Sequence, residues 1–391
     1  MPFKMSFPKQ IPAGFSMESI KGPGEVRISV SDYVSSEDGD LLVSRLEGIS
    51  GMIFPAVTPP LMVKPSTIDH FLAIIQPNGT GTLYINELDF HIGIHPKRDL
   101  KKGDPVSLDD IADIRWMRLF HRNDVVTVPN DAGIAFLFSH GWRKGLYYDF
   151  YPLLPGKGSP RQVDIEVLFG QLYASLAFQE MLKISSDEFD RLIEQRWFPF
   201  ISLKKQTINK ILNHVRSGWP VDDLLDQIHE EVARGLPVER KKWEKNLSLN
   251  TDMELLNKAV DRFLEEDYIS AISILFPRIE GILRSYHILQ YPDQRIDQDA
   301  LVESAIEKNP NVQHPNSLLL PAKFQRYLKK VFFAPFDPEN PQELSRHTVA
   351  HGVAPATVFN KKGATLGFLI LEQLSYYLIP HNKPKAGSGS T

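Results

Sequence analysis

Short runs of β-forming residues, separated by turn signals, occupy the first part of the chain. Glu25-Val26-Arg27-Ile28-Ser29-Val30, Thr82-Leu83-Tyr84-Ile85 and Ala135-Phe136-Leu137-Phe138 are such runs. Between them stand Asp38-Gly39, Thr58-Pro59-Pro60, Pro77-Asn78-Gly79 and Pro129-Asn130-Asp131-Ala132-Gly133. Strands of this length at this spacing predict a β-rich sandwich or barrel-like domain over residues 1–165. Near residue 165 the period becomes helical. Ser185-Ser186-Asp187-Glu188 has the form of a capping box, and Val221, Leu224, Leu225, Ile228 and Val232 recur at helical spacing after Trp219-Pro220. Gly235-Leu236-Pro237 then opens a charged stretch through Lys245, which predicts a domain boundary and makes 166–245 a helical connector.

The next segment, 246–382, reads as an all-α bundle. Thr251-Asp252-Met253-Glu254 predicts a second capping box, followed by an apolar stripe at Leu256, Ala259, Val260 and Phe263. A helix is expected from about Tyr268 to Tyr286, with Pro277 inside it where a backbone donor is lost. Further helices are expected around Gln298–Glu307 and Leu318–Phe333. A last one begins near Lys361 with Leu366, Leu369, Ile370, Gln373, Leu374, Tyr377 and Leu378 on one face. Residues 383–391, rich in Gly and Ser, read as a disordered tail or expression remnant. The fold class is thus α+β and multidomain: a β-rich N-terminal domain, a helical middle segment and a C-terminal helical bundle.

Composition narrows the function classes. A chain of 391 residues, 42% hydrophobic and 24% charged, is that of a globular protein with more than one core. Its net charge of -4 supplies no global field toward nucleic acid, so contact with a polyanion must be local. The absence of cysteine removes disulfides, thiolate nucleophiles and the usual structural zinc sites, and fits a cytoplasmic location. The N-terminal residues lack the apolar run of a signal peptide, and no uncharged apolar stretch reaches the ~18 residues of a membrane span.

Chemistry concentrates at Ser345-Arg346-His347-Thr348-Val349-Ala350-His351-Gly352. Arg346 and His351 are five positions apart, so on a regular helix they would sit roughly 140° apart rather than stacked. A helix end, with Gly352 as the stop, can still turn both into one cleft. An imidazole titrates near neutral pH and can move a proton, while a guanidinium holds a phosphate and offsets charge developing on its oxygens. That combination suits cleavage of RNA by its own 2'-hydroxyl, which calls for no metal and no cofactor. The spacing alone is weak. With 12 His in 391 residues, a given offset from an Arg meets a His about 3% of the time. Arg115 and His121, with five residues between them, imitate the pattern in the β-rich half.

Context separates the two. Ser345 to Gly352 resembles the Arg-x(4-6)-His motif of the HEPN superfamily, helical domains found in RNA-cleaving toxins and antiviral effectors. The upstream block Tyr268 to Arg284, with Pro277, then Ile279-Glu280-Gly281, then Leu283-Arg284, resembles an earlier core helix of abortive-infection-type members. The resemblance covers roughly residues 250–380. It implies Arg346 as the phosphate-binding residue and His351 as general acid or base. His347 would orient the phosphate or the second catalytic group, and Glu280 would pair with Arg346, with Arg284 beside it. It further implies RNA as substrate, a homodimer through this domain and a toxic role in prokaryotic antiviral defence. The N-terminal domain would then sense a phage-derived trigger. Two alternatives stay open: a non-catalytic HEPN module that dimerises and binds RNA or protein, and a ligand-binding β-domain fused to a helical oligomerisation domain.

Other signals carry less. Arg326, Lys329 and Lys330 share a predicted helix and suit contact with an RNA backbone. Arg240-Lys241-Lys242-Trp243-Glu244-Lys245 mixes cations with an aromatic, as RNA-stacking segments do, but reads first as a solvated linker. Leu154 to Pro160 lacks phosphate-loop spacing. His91 and His95 share a strand face without an obvious third metal ligand.

Overall fold

The computed structural model describes residues 2–7, 16–19, 26–308, 316–335 and 344–378, with backbone alone for 16–19, 26–28 and 66. The predicted tail, Glu25 of the first predicted strand and residues 341–343 ahead of the motif lie outside the described residues. The chain divides into two compact units, Met1–His95 with Ile114–Gln179, and Pro96–Asp113 with Glu180–Thr391.

Unit 1 contains β1 (Phe3–Ser6), β2 (Ser16–Ser19), β3 (Val26–Ser29), β4 (Ser31–Ser35), α1 (Asp40–Ile53), β5 (Phe71–Ile75) and β6 (Thr80–Ile85). There follow β7 (Asp89–Pro96), β8 (Ile111–His121), β9 (Asp124–Val125), β10 (Gly133–His140), β11 (Arg143–Asp149) and α2 (Ile165–Ala177), with β7 and β8 reaching into the residues of unit 2 at one end. Six strands form an antiparallel sheet in the order β1-β6-β5-β10-β11-β4. Alternation sorts its side chains onto two faces. Phe71, Ala73, Ile75, Ala135, Leu137, Leu146 and Tyr148 face one way, where α1 lays Leu42, Leu46, Ile49 and Ile53 on them. Leu72, Ile74, Ile134, Phe136, Phe138 and Tyr147 face the other way, against Met117 and Leu119 of β8 and Phe169, Leu172 and Leu176 of α2. One face is thus covered by α1 and the other by β8 together with α2, so the sheet-based N-terminal part expected from the sequence is present, with helices among its covering layers. The stripe of α1 was hidden by Ser44, Gly48, Ser50 and Gly51, residues of low helix propensity that packing overrides.

Unit 2 carries α3 (Gln179–Leu182), α4 (Ser186–Glu194), α5 (Lys205–Ser217), α6 (Leu225–Lys245), α7 (Met253–Leu264) and α8 (Tyr268–Gln290). These are followed by α9 (Gln298–Val302), α10 (Pro321–Tyr327), α11 (Arg346–Ala350) and α12 (Lys361–Ser375). α9 and α10 each run on into a wider π turn, Glu303–Glu307 and Leu328–Phe332. α12 is buried along almost its whole length, from Gly363 to Leu374, as befits a central helix, and packs against α6 and α8.

Several local expectations meet the structure directly. The capping box at Ser185 forms, with its hydroxyl accepting from Glu188 N and Glu188 accepting from Ser185 N. The one at Thr251 does not: a tight turn, Asn250–Asp252, precedes α7, and Asp252 takes the cap position. The boundary expected over 235–245 lies inside α6, which runs unbroken through Pro237 because Leu236 and Trp243 are buried on its inner face. Trp243 stacks on Phe368 of α12, ring centroids 6.5 Å apart. The chain instead changes unit at 95/96, 113/114 and 179/180, so α2 belongs with the sheet and the rest of the expected connector with the bundle. Asp113, buried, anchors the 96–113 excursion by accepting from Ser317 Oγ at 2.7 Å and Leu318 N at 3.0 Å. Among the described residues no helix is long and apolar enough to cross a membrane.

Candidate active site

The motif segment folds as a single turn. Ser345 caps α11, its hydroxyl accepting from Thr348 N at 3.3 Å while Thr348 Oγ1 accepts from Ser345 N at 2.9 Å. Both residues are buried, so this reciprocal cap fixes the entry of the turn within the fold. At the other end His351 is the C-cap and Gly352 adopts φ +67°, a left-handed conformation that glycine takes without a Cβ penalty. The amides of Gly352 and Val353 return to the carbonyls of Val349 and Thr348.

Arg346, the first residue of this turn, reaches α8. Its Nε forms an ion pair with the Glu280 carboxylate, and Arg284, one helical turn along α8, donates to the same carboxylate at 3.1 Å. The expected pairing of Glu280 with Arg346 is thus present. Glu280 keeps 7% of its side chain accessible, Arg346 23% and Arg284 46%, so an incoming anion meets the two guanidiniums before the carboxylate. One carboxylate between two arginines leaves a local excess of positive charge. Burial lowers the Arg346 pKa from its ordinary value.

The two histidines have different surroundings. His347 sits between α9 and the carbonyl of Ala334: its Nδ1 lies 3.0 Å from that oxygen and its Nε2 2.6 Å from the amide nitrogen of Gln298. The tautomer with its proton on Nδ1 satisfies both contacts, since the amide then donates to Nε2. His347 is therefore engaged within the bundle at both ring nitrogens. His351 is exposed, and its ring lies parallel to that of His347 with centroids 6.3 Å apart, the i, i+4 neighbour relation of one helix face. The turn sends Arg346 to α8 and stacks His351 on a histidine that α9 holds in place.

The other sequence candidates stay apart from this group. Arg326 pairs with Asp190 and lies over the Phe189 ring, and Lys329 pairs with Asp299 at 2.8 Å, while Lys330 is exposed. The basic run of α6 is largely committed to partners: Arg240 to Asp261 and Asn257, Lys242 to Glu239, Lys245 to Asp99. The linker reading of that run gives way to a helix face crossed by ion pairs. Around the imitating pattern on β8, Arg118 makes a two-pronged pair with Glu166 at 2.7 and 2.8 Å and His121 contacts Glu87 at 3.2 Å. His91 packs on the Phe120 ring, and among the described residues no group of three or more His, Asp or Glu is placed to hold a metal ion.

Arg196 escaped sequence reasoning. It has φ +63°, and its Nη2 donates to the carbonyls of both Val331 and Leu344, tying α10's trailing turn to the residue before the Ser345 cap. No motif marks it, because its partners lie more than a hundred positions away along the chain. Compared with models of protein families, with curated proteins and with solved structures, the chain matches none.

Proposed function

We propose that the helical unit is an endoribonuclease of the HEPN kind that cleaves RNA without a metal ion. The observation that carries this reading is the group formed by Glu280, Arg346 and Arg284, with exposed His351 at the end of the same turn as Arg346. In the proposed reaction the 2'-oxygen bonds to the adjacent phosphorus and its proton passes to a base. The P–O5' bond then breaks and the departing oxygen takes a proton, leaving a 2',3'-cyclic phosphate and a 5'-hydroxyl. Arg346 binds the phosphate and offsets charge on its non-bridging oxygens, and Glu280 positions Arg346. His351 moves one of the two protons, and the same residue of a second copy moves the other. His347 acts as a positioning residue that backs His351. Sedimentation showing only monomer at micromolar concentration would remove the two-copy arrangement.

In this reading unit 1 senses a phage-derived trigger and restrains a toxic activity used in antiviral defence in the prokaryotic cytoplasm. Expression during phage challenge tests it: wild type is expected to arrest growth, and Arg346→Ala and His351→Ala are expected to be harmless. Equal harmlessness of all three would remove the toxic-nuclease reading. The commitment of Arg346 Nε to Glu280 favours a second reading, in which the pair staples α11 to α8 in a non-catalytic module that binds RNA or protein. RNA retained uncut by wild type, with the same affinity as by His351→Ala, is the outcome that selects it.

A further inference from the structure

A cavity of about 140 Å³ opens in unit 2, walled by residues of α8, α10's trailing turn, Leu344 and α12. Three separate stretches of backbone tie its wall to the group just described. Phe276 lies one helical turn before Glu280 on α8, and Phe332 stands two residues before Ala334, whose carbonyl holds His347. Leu344 stands two residues before Arg346. Positions one turn apart on a helix lie ~6 Å from each other, so two of the wall residues stand within one helical turn of Glu280 and Arg346 along the backbone. Gly363 eases the close fit of α12 here, because a Cβ on it would stand 3.0 Å from the Val358 carbonyl oxygen and force Leu344 Cδ2 aside.

The size and lining select a ligand class. A cavity of ~150 Å³ accepts a benzene-sized ring, which a single six-membered heterocycle matches and a fused purine exceeds. The walls include the rings of Phe276 and Phe332, centroids 5.3 Å apart and tilted by 41° to each other, which offer apolar contact to a ring placed between them and the opposite wall. Asn360, the cap of α12, is also one of the lining residues. Its Oδ1 accepts from Gly363 N at 3.0 Å and its Nδ2 donates to Thr357 O at 3.1 Å, so the amide is fixed in orientation. An amide has two N–H groups and two lone pairs, which leaves one of each to pair with the donor–acceptor edge of a pyrimidine.

We propose that this cavity is a base subsite that takes a pyrimidine while Arg346 holds the neighbouring phosphate, which rests on the ribonuclease reading for the role of Arg346. Calorimetric titration of the full chain with uridine 3'-monophosphate, adenosine 3'-monophosphate and inorganic phosphate tests it. The uridine nucleotide is expected to bind at least fivefold more tightly than the adenosine one. Val358→Trp, which puts a large ring at a lining position, is expected to abolish that difference while leaving inorganic phosphate binding unchanged. Asn360→Asp retains a good helix cap but removes the amide N–H groups, and is expected to weaken the uridine nucleotide about tenfold, so the proposal stays testable if the Trp variant misfolds. Equal binding of the two nucleotides, binding of neither, or a preference that survives Asn360→Asp would overturn the subsite. Discrimination between nucleotides by a protein that cuts no RNA would sink the ribonuclease reading and leave the subsite standing. Cleavage without base preference, together with equal nucleotide binding, would do the reverse.

Discussion

Glu280 is a buried carboxylate that faces two arginines, and removing its charge leaves both cations beside a neutral group. Glu280→Gln preserves the shape and is expected to lower stability by about 1–3 kcal/mol in urea unfolding. Combined with Arg346→Met, the loss is expected to be smaller than the sum of the single losses, because both changes remove the same contact. Additive losses would contradict a coupled pair. At this scale the sequence was informative where a motif supplied context and silent where a contact was long-range. Arg346, His351 and Glu280 stood in recognisable blocks. The tether of His347 to Gln298 and Ala334 did not, because those partners are neither periodic with it nor part of a motif. Arg196 was likewise invisible, since its clamp on Val331 and Leu344 exists only once the helices have assembled.

α12 places a carboxyl inside the helical core. Burial first, with the charges of Glu239 of α6 and Glu231 beside it, pushes Glu372 up to about 8 from an ordinary 4.5, against the opposing effects of Ser202 and Lys242. Glu239 is itself raised by burial. The folded protein therefore keeps a proton on Glu372 that the unfolded chain has released. Its contribution to stability is fully present below about 4.5 and is lost as pH rises through about 8. Lys97, lowered to about 8 by burial, contributes the opposite slope above that pH, up to 10.5. Urea midpoints between pH 5 and pH 8 are expected to fall for wild type and to flatten in Glu372→Gln; an unchanged slope in the variant would contradict the assignment. Elements were legible where period and caps agreed, as in α4 and α8. They were misread where tertiary packing overrode local signals: Pro237 and a run of charges suggested a boundary, yet buried Leu236 and Trp243 carry α6 straight through it.

The order of residues along the chain does not match the order of compact units, and sequence pattern alone gave no sign of that. Residues 96–113 leave the β-rich unit and complete the helical one, where Asp113 satisfies Ser317 and Leu318. A fragment of 180–391 lacks this excursion and leaves a buried serine hydroxyl and a backbone amide without their acceptor. It is expected to lose cooperative unfolding or several °C of melting temperature relative to the full chain; a fragment as stable as the parent would refute the shared architecture. Coarse class, a sheet-based first part and a helical remainder, was readable because side-chain period changes from 2 to 3.6 near residue 165. The proposed ribonuclease function rests on a single group of residues at the turn Arg346–Ala350. The most direct measurement is mass spectrometry of the ends of RNA exposed to the full chain in excess chelator. Fragments ending in a 2',3'-cyclic phosphate are expected, and are expected to be lost in both Arg346→Ala and His351→Ala. Intact RNA under every condition, or 3'-hydroxyl ends that form only when metal is added, would contradict the ribonuclease reading.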